Sequence, residues 1–461
     1  MVVTDSLFLL TFILTLVAIL FLASGRRTKA TNSGEFSLGG RQGGAWHVFG
    51  AITGTLVGGA STVGTAQLAF LYGFSAWWFT LGAGLACLFL GLFLAVPLRR
   101  SQVETIPEFI ARYHGPRARL LSSLFAALGM FIQIVAQLLA CGAVLAVLFD
   151  LSLLSSAMIS ALLVILFTLS GGMKSAGLTG MIKMALIYLT MIIAGVLAYH
   201  QSGGWGGLKE SFPDFPWFSL FGYGVKKGVS DLVSMLVGVI STQTYLQAVF
   251  SARNGAAARG GALLSAVLIP PLGIFGIFVG LYMRQAYPEI ESALALPTFI
   301  SMNFPSPLAG VAFATLLIAA VGTAAGLALG VATTLKVDTL QRWMAGQRNE
   351  LLLFRLLTVG IVATAFVLLL FNLGTAIMDW SFLSMGLRGA TFCFPLLFAI
   401  FLSRISLPKA GLVSIICAPV SVVVTGLLNI EILPPLYIGL SLSLLIFLGG
   451  LVIRLMRGDS S

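Results

Sequence analysis

The chain has 461 residues, of which 58% are hydrophobic and only 9% are charged. A water-soluble protein of this size could not bury so much apolar surface, so the composition excludes a soluble globular class and indicates a chain solvated by lipid. A net charge of +11 would suggest nucleic acid as the partner of a soluble protein. Here the basic residues lie in short loops between apolar runs, where they set membrane topology, and we expect no nucleic-acid partner.

Apolar runs of about 20 residues recur along the whole chain, and each could cross the roughly 30 Å hydrocarbon layer as a helix. The runs lack the alternating pattern of an outer-membrane barrel, so we predict an all-α polytopic membrane protein. The first run follows Asp5 rather than a basic segment, which favours a retained helix over a signal peptide. Hydropathy predicts about thirteen transmembrane helices, near residues 6–25, 45–72, 76–97, 118–148, 151–170, 176–200, 226–250, 261–285, 306–335, 351–371, 375–402, 408–428 and 433–455.

Basic and acidic residues segregate between alternate loops of this prediction. One set of loops holds basic residues such as Arg99, Arg253 and Lys336, whereas the opposite loops hold mostly acids such as Asp150 and Glu210. By the positive-inside rule the N-terminus lies outside and the C-terminus lies in the cytoplasm. We therefore expect a multi-pass protein of the cell (inner or plasma) membrane, in contact with membrane lipid.

The sequence gives little support for an enzyme or for a metal site. The three histidines form no catalytic constellation with the scattered acids, so we expect no enzyme. The four cysteines stand far apart and lack CxxC spacing, which argues against a disulfide framework and a transition-metal site. We expect no cofactor and see no sign of an obligatory protein partner, so function should reside in the helical bundle.

Two predicted spans are rich in residues that interrupt helices. The second contains Gly58 and Gly59 beside a run of Ser and Thr, and the seventh contains Gly238 followed by residues 241–244, which read Ser-Thr-Gln-Thr. An odd number of crossings inverts topology, so spans five apart would be equivalent elements of an inverted repeat. Broken helices expose carbonyl groups and helix ends that bind ions and solutes. The alternative is that the small residues only permit close helix packing.

Several stretches, in the right order along most of the chain, resemble the sodium:solute symporter family. They are the loop Glu35–Arg41, the stretch Thr105–Ile110 with Arg112 and Tyr113, the turn Gly171–Lys174, the segment Gln247–Arg253 and the stretch Leu387–Gly389 before Pro395. The resemblance implies a leucine-transporter-like fold, with a five-plus-five inverted repeat, one helix before it and two after it. It also implies alternating access and, usually, uptake driven by sodium.

This resemblance divides the chain into four parts. The first helix and its cytoplasmic loop would occupy residues 1–44, the first repeat 45–200 and the second repeat 226–402. The last two helices and a short tail would occupy residues 403–461.

Carried over residue by residue, the family's sodium site falls on five positions. The backbone carbonyls of the first broken helix fall on Ala60 and Val63, and the eighth core helix supplies Ala320, Thr323 and Ala324. Because the family has a hydroxyl where this chain has Ala324, one oxygen ligand is missing. A hard cation held by oxygens should bind more weakly there, unless a water takes the missing place.

A second departure concerns the fifth core helix. In the stretch Thr179–Lys183, the family usually has an acid directly after the threonine, whereas this chain has Gly180 at that position. This chain also has a lysine, Lys183, one helical turn deeper. A charge inside a membrane helix is costly and indicates function by default. Some sodium-independent carriers of the wider fold place a lysine on this helix where sodium would be, so Lys183 could replace or compete with sodium and take part in proton coupling. Alternatively, Lys183 reaches the cytoplasmic interface, only ~12 Å away.

Candidate solute contacts lie on three helices. The broken second span offers Ser61, Thr62 and Gln67, of which Thr62 and Gln67 align with polar contacts in sugar-carrying relatives. Gln133 and Gln137 share one face of the fourth span and could line a cavity or bond between helices. The full set of predicted substrate residues is Ser61, Thr62, Gln67, Gln133, Gln137, Gly238 and Arg388.

Arg388 lies inside the eleventh predicted span, where a guanidinium needs an acceptor. It could bind an anionic solute or clasp a neighbouring helix end. Asp379 is on nearly the opposite face of the same helix and is a poor partner for it. Lys227 and Asp231 have i, i+4 spacing, which predicts a local ion pair.

We therefore expect a secondary active transporter that takes up a small polar organic solute by alternating access. The family favours sodium as the coupling ion, whereas Ala324, Gly180 and Lys183 favour protons or no ion. A sensor or a channel on the same scaffold is the alternative from another class, although the sequence shows no charged selectivity ring.

Overall fold

The computed structural model of the chain describes residues 5–24, 41–169, 176–336, 350–402, 405, 407–428 and 433–456. The regular structure in these ranges is helical. The family-like stretches at residues 35–40 and 171–174, and both chain ends, lie outside the described residues. The helices are α1 (Ser6–Ser24), α2 (Ala45–Leu56), α3 (Thr65–Tyr72), α4 (Trp78–Phe89), α5 (Ala95–Arg100), α6 (Ile106–His114), α7 (Pro116–Phe149), α8 (Leu153–Leu169), α9 (Ala176–Gln201), α10 (Gly204–Ser211), α11 (Asp214–Trp217), α12 (Val225–Ile240), α13 (Gln243–Phe250), α14 (Gly255–Leu268), α15 (Pro270–Ala286), α16 (Ala295–Asn303), α17 (Ser306–Leu335), α18 (Glu350–Leu370), α19 (Ile377–Phe401), α20 (Pro408–Leu427) and α21 (Pro435–Met456).

The described helices agree with a membrane-spanning bundle. Nine described segments are long and apolar enough to cross a membrane, or ten if the bent pair α12 and α13 counts as one span. Ser6–Ile19 and Leu153–Leu169 are apolar but shorter. Helices lie at the position of each predicted span, but length and composition do not establish thirteen crossings. That count stays a prediction, as do the boundaries of the two repeats.

The second predicted span is interrupted near its centre. α2 ends at Leu56 because Val57 adopts an extended conformation, and the chain resumes as a π-helical turn over Ala60–Gly64 before α3 begins. Thr53 and Thr55 on α2 donate their hydroxyls back to carbonyls of the preceding turn, which is typical of helices near a bend. The Gly and Ser/Thr pattern therefore predicts this break correctly.

The seventh predicted span is interrupted in the same way. α12 ends at Ile240, Thr242 is extended, and α13 begins at Gln243 with a bend of 42° between the two helices. The Gln243 side chain accepts the backbone N–H of Ile106 at 2.8 Å, which ties the start of α13 to the start of α6. Two spans of one fold are thus broken where sequence predicted them to be.

The helices around the two breaks form the centre of the bundle. α7 and α17 are the most deeply buried of the described long spans, and they pack against each other. α9 packs against α2, and α19 packs against α7 and α12. This arrangement brings α9 and α17 to the first break and α7 and α19 to the second.

Candidate functional site

Lys183 on α9 lies inside the bundle next to the first broken helix. Its side chain is buried, with 6% of its surface exposed. Its ammonium nitrogen donates to the Gly54 carbonyl oxygen at 2.8 Å, to the Thr323 hydroxyl at 2.9 Å and to the Ala319 carbonyl at 3.3 Å. Three donors meet three oxygens, so the hydrogen-bonding capacity of the ammonium is filled. The ammonium is therefore bonded inside the bundle rather than at its surface.

Thr323 is arranged to accept from a cation. Its hydroxyl donates to the Ala319 carbonyl at 2.7 Å, which leaves its lone pairs facing Lys183. Gly58 lies between the Thr323 hydroxyl and the Gln137 side chain, because a Cβ added at Gly58 would stand within 3 Å of an oxygen of each. The ammonium, the threonine and the first break therefore form one contiguous cluster.

The predicted cation site is only partly reproduced by these contacts. Among the described residues, the hydrogen bonds of Lys183 reach Thr323 but neither Ala60 nor Val63, and the carbonyl of the eighth core helix that it meets belongs to Ala319 rather than Ala320. Ala320 faces Gly59 instead, and Ala324 is fully buried without a side-chain oxygen.

Gly180 lies at a close approach of α9 to α2. A Cβ added there would overlap the carbonyl oxygen of Gly50 and would stand 3.1 Å from Gly54 Cα. Because both neighbours are backbone atoms, this position has no room for the acid that the family usually carries.

The first break is held together by its own polar side chains and by Gln137. The Gly59 N–H donates to the Gln137 side-chain oxygen at 2.9 Å, and the Gly58 N–H donates to the Ser61 hydroxyl at 3.0 Å. The Thr62 hydroxyl donates to the Gly58 carbonyl at 3.0 Å. Ser61, Thr62 and Gln137 thus satisfy backbone groups that the interruption leaves without helical partners.

Replacing Gln137 should test this role. We expect Gln137→Leu to destabilise the protein by about 1–3 kcal/mol, because the buried Gly59 N–H then has no acceptor. Gln133→Leu is the matched control on the same helix face, since it removes only a bond to a hydroxyl and should lower the melting temperature less. Equal losses of melting temperature in the two variants would contradict the role assigned to Gln137.

Gln67 and Gln133 both contact α19. The Ile377 N–H, at the start of α19, donates to the Gln67 side-chain oxygen at 2.8 Å. The Gln133 amide nitrogen donates to the Ser381 hydroxyl at 2.9 Å, and its side-chain oxygen is buried and has no partner among the described residues. Gln67 therefore caps a helix, whereas Gln133 retains an unused acceptor.

Arg388 lies at the second break. Its guanidinium is 1% exposed and donates to the Thr242 hydroxyl at 2.9 Å, the Ser384 hydroxyl at 2.7 Å and the Ser384 carbonyl at 3.1 Å. Gly129 on α7 accommodates this side chain, because a Cβ there would overlap Arg388 Cγ. Gly238, one turn before Thr242, packs against the backbone of Met385. Sequence analysis missed Thr242, since nothing in the chain pattern places it beside Arg388.

An ion pair joins the N-terminal ends of α12 and α19. The Lys227 ammonium is 2.8 Å from the Asp379 carboxylate and 4.0 Å from that of Asp231. The Tyr223 hydroxyl donates to Asp231 at 2.8 Å. The predicted contact between Lys227 and Asp231 is therefore the longer of the two. The shorter contact, between Lys227 and Asp379, joins residues 152 positions apart in the chain.

A helical bundle with two interrupted spans and an oxygen-lined cation position has the architecture of transporters with the leucine-transporter-like fold. The profile of the sodium:solute symporter family matches residues 36–416, so the chain belongs to that family. The human high affinity choline transporter 1 is 27% identical over 55% of this chain, and an uncharacterized symporter of Bacillus subtilis is 28% identical over 43%. The matched segments cover less than half of those relatives' own lengths, 46% and 38%.

Solved structures bear out the fold. A Na⁺-coupled sialic acid symporter in a substrate-bound outward-open state superposes with a TM-score of 0.75 at 16% identity, covering 96% of this chain and 97% of that one. A nucleobase-cation-symport-1 family transporter superposes with a TM-score of 0.59 at 12% identity, covering 91% and 95% of the two chains. The predicted all-α, leucine-transporter-like fold is confirmed.

Proposed function

We propose that the chain is a secondary active transporter that takes up a small polar organic solute by alternating access, with the Lys183 ammonium in the place of a coupling sodium ion. The observation that carries this proposal is the set of three hydrogen bonds from Lys183 to Gly54, Ala319 and Thr323. These oxygens come from the first broken span and from α17, the two elements that supply the family's cation ligands in the resemblance described above.

An ammonium and a sodium ion compete for the same oxygens. Both are single positive charges that need electronegative atoms in place of water, so two of them in one oxygen cluster would repel each other strongly in a medium of low dielectric constant. The missing hydroxyl at Ala324 weakens the sodium alternative further. Uphill uptake is then coupled to proton exchange at Lys183, whereas a carrier driven by the solute gradient alone would be facilitative rather than secondary active.

Sodium symport is the second candidate function. The family match and the Na⁺-coupled structural neighbour favour it. It requires that Lys183 leave the cluster in another state of the transport cycle, so that Thr323 and the two carbonyls become available. In both cases the protein works in the cell membrane, with its N-terminus outside and its C-terminus in the cytoplasm.

Thermal stability in different salts distinguishes the two candidates. We expect no sodium-specific rise in the melting temperature of the wild type when sodium chloride replaces potassium or choline chloride at equal ionic strength. In Lys183→Gln, which removes the charge and supplies an amide oxygen, we expect a saturable rise. A ligand at 100 times its Kd stabilises a folded protein by about 2.7 kcal/mol, which a melting curve detects readily.

The control is Lys209→Gln, which removes the same charge from an exposed position paired with Asp214. It should behave like the wild type in every salt. A saturable, sodium-specific stabilisation of the wild type would contradict the proposal and favour sodium symport.

A further inference from the structure

The Lys227 ammonium faces two carboxylates that belong to different helices. Asp379, in the first turn of α19, is the nearer at 2.8 Å, and its side chain is 51% exposed. Asp231, one turn further along α12, is 4.0 Å away, and its side chain is 7% exposed. One ammonium therefore lies between a solvated carboxylate on another helix and a buried carboxylate on its own helix.

The buried carboxylate of Asp231 depends on the ammonium more than Asp379 does. The Tyr223 hydroxyl donates to Asp231 at 2.8 Å, but a hydroxyl satisfies a hydrogen bond without cancelling the charge. The cation beside Asp231 is Lys227. If the ammonium moves away, water solvates the carboxylate of Asp379, whereas that of Asp231 is left as a buried charge without a counter-ion.

The start of α19 is bonded to both broken spans at this end of the bundle. The ion pair joins it to α12, and the Gln67 side chain, which accepts the Ile377 N–H at 2.8 Å, joins it to α3. Further along α19, the hydroxyls of Ser381 and Ser384 bond to α7. Movement of α3 and α12 away from α19 would therefore break two polar contacts and open the bundle at this end.

The ammonium can change its partner without leaving α12. Lys227 and Asp231 have i, i+4 spacing, so their side chains lie on the same face of the helix. The lysine side chain is a flexible four-carbon chain, and a shift of the ammonium by about 1 Å would bring it within hydrogen-bonding distance of Asp231. A shorter contact with Asp231 would then offset the loss of the contact with Asp379.

We propose that Lys227 is a positioning residue of the transport cycle, which exchanges Asp379 for Asp231 when α3 and α12 move away from α19. The pair with Asp379 holds this end of the bundle closed, and the pair with Asp231 compensates the buried carboxylate when this end is open. In the predicted topology this end faces the outside of the cell. The proposal rests on the alternating access proposed above, but not on the identity of the solute or of the coupling ion.

The distance between the starts of α12 and α19 tests the exchange. Nitroxide labels at Val225→Cys and Gly374→Cys report this distance by electron paramagnetic resonance, because Val225 is 63% exposed and a Cβ added at Gly374 meets no atom within 4 Å. The background variant is Cys417→Ser, since the other three cysteines are buried. We expect Asp379→Asn to raise the ratio of the longer to the shorter distance by roughly two- to fivefold, the effect of losing a partly exposed ion pair. Asp231→Asn should lower this ratio, because the ammonium then has a carboxylate only in the closed arrangement.

Asp214→Asn is the matched control. It removes the same charge from an ion pair with Lys209, 3.2 Å long and exposed, in the segment just before α12, and it should leave the ratio unchanged. Because Asp379 is half exposed, Asp379→Asn tests the proposal even if Asp231→Asn does not fold. An unchanged ratio in Asp379→Asn, or a shift of both variants in the same direction, overturns the proposal. These outcomes are independent of the sodium experiment, which reports on Lys183.

Discussion

Gly180→Ala is expected to lower the stability of the protein more than any other single methyl group added on α9. The new Cβ would overlap the Gly50 carbonyl oxygen on α2, and a backbone atom cannot rotate away as a side chain can. Overpacking of this kind costs about 1–3 kcal/mol, occasionally more. Separation of α9 from α2 would also carry Lys183 away from the Gly54 carbonyl. We expect a fall of several degrees in melting temperature together with loss of transport.

Gly360→Ala on α18 is the control for this substitution. An added Cβ there meets no atom within 4 Å, so the change should be neutral or slightly stabilising. Gly180→Asp, which restores the acid usual in the family, should be at least as damaging as Gly180→Ala. If Gly180→Ala has the same melting temperature as Gly360→Ala and the wild type, then α9 and α2 do not approach each other this closely.

Gly238→Ala is expected to have the second large effect. A Cβ at this position would lie 2.7 Å from Met385 Cα and 2.8 Å from its carbonyl oxygen, so α12 and α19 would have to separate. The Thr242 hydroxyl, which donates to the Gly238 carbonyl and accepts from Arg388, would move with α12. We expect a loss of about 1–3 kcal/mol and weaker binding of the solute, measured by melting with and without ligand.

The outcome at Gly238 distinguishes packing from direct contact. If Gly238 only lines a solute site, the Ala variant keeps its stability in the absence of ligand and loses only its affinity for the solute. A glycine that sets the spacing of two helices loses stability in the absence of ligand as well. Unchanged melting of ligand-free Gly238→Ala would contradict the packing role, and Gly360→Ala again provides the reference.

Local sequence features predict much of the fold. Apolar runs predict the helices because the hydrocarbon layer requires internal hydrogen bonding, and the glycine and hydroxyl clusters predict both breaks because they weaken a helix locally. The count of crossings is less secure. α1 and α8 are short apolar helices whose status depends on the surrounding lipid and on packing partners rather than on length.

The candidate site is predicted less completely, for reasons that differ between residues. Lys183 is visible in the sequence because a lysine in an apolar run is unusual. Its carbonyl acceptors, Gly54 and Ala319, cannot be predicted from sequence because every residue has a carbonyl. Only the packing of α2, α9 and α17 brings these two to Lys183. Gln67 was predicted to contact solute, yet it caps the Ile377 N–H, 310 positions away in the chain. Such pairings arise from tertiary structure alone.

Equilibrium binding of radioactive sodium to the purified protein tests most directly whether Lys183 stands in for the coupling ion. We predict no saturable binding to the wild type and saturable binding, about one ion per chain, to Lys183→Gln. The double variant with Thr323→Ala should lose that binding again, because the threonine oxygen is one of the acceptors of the ammonium. Saturable sodium binding by the wild type, unaffected by Lys183→Gln, would contradict the account.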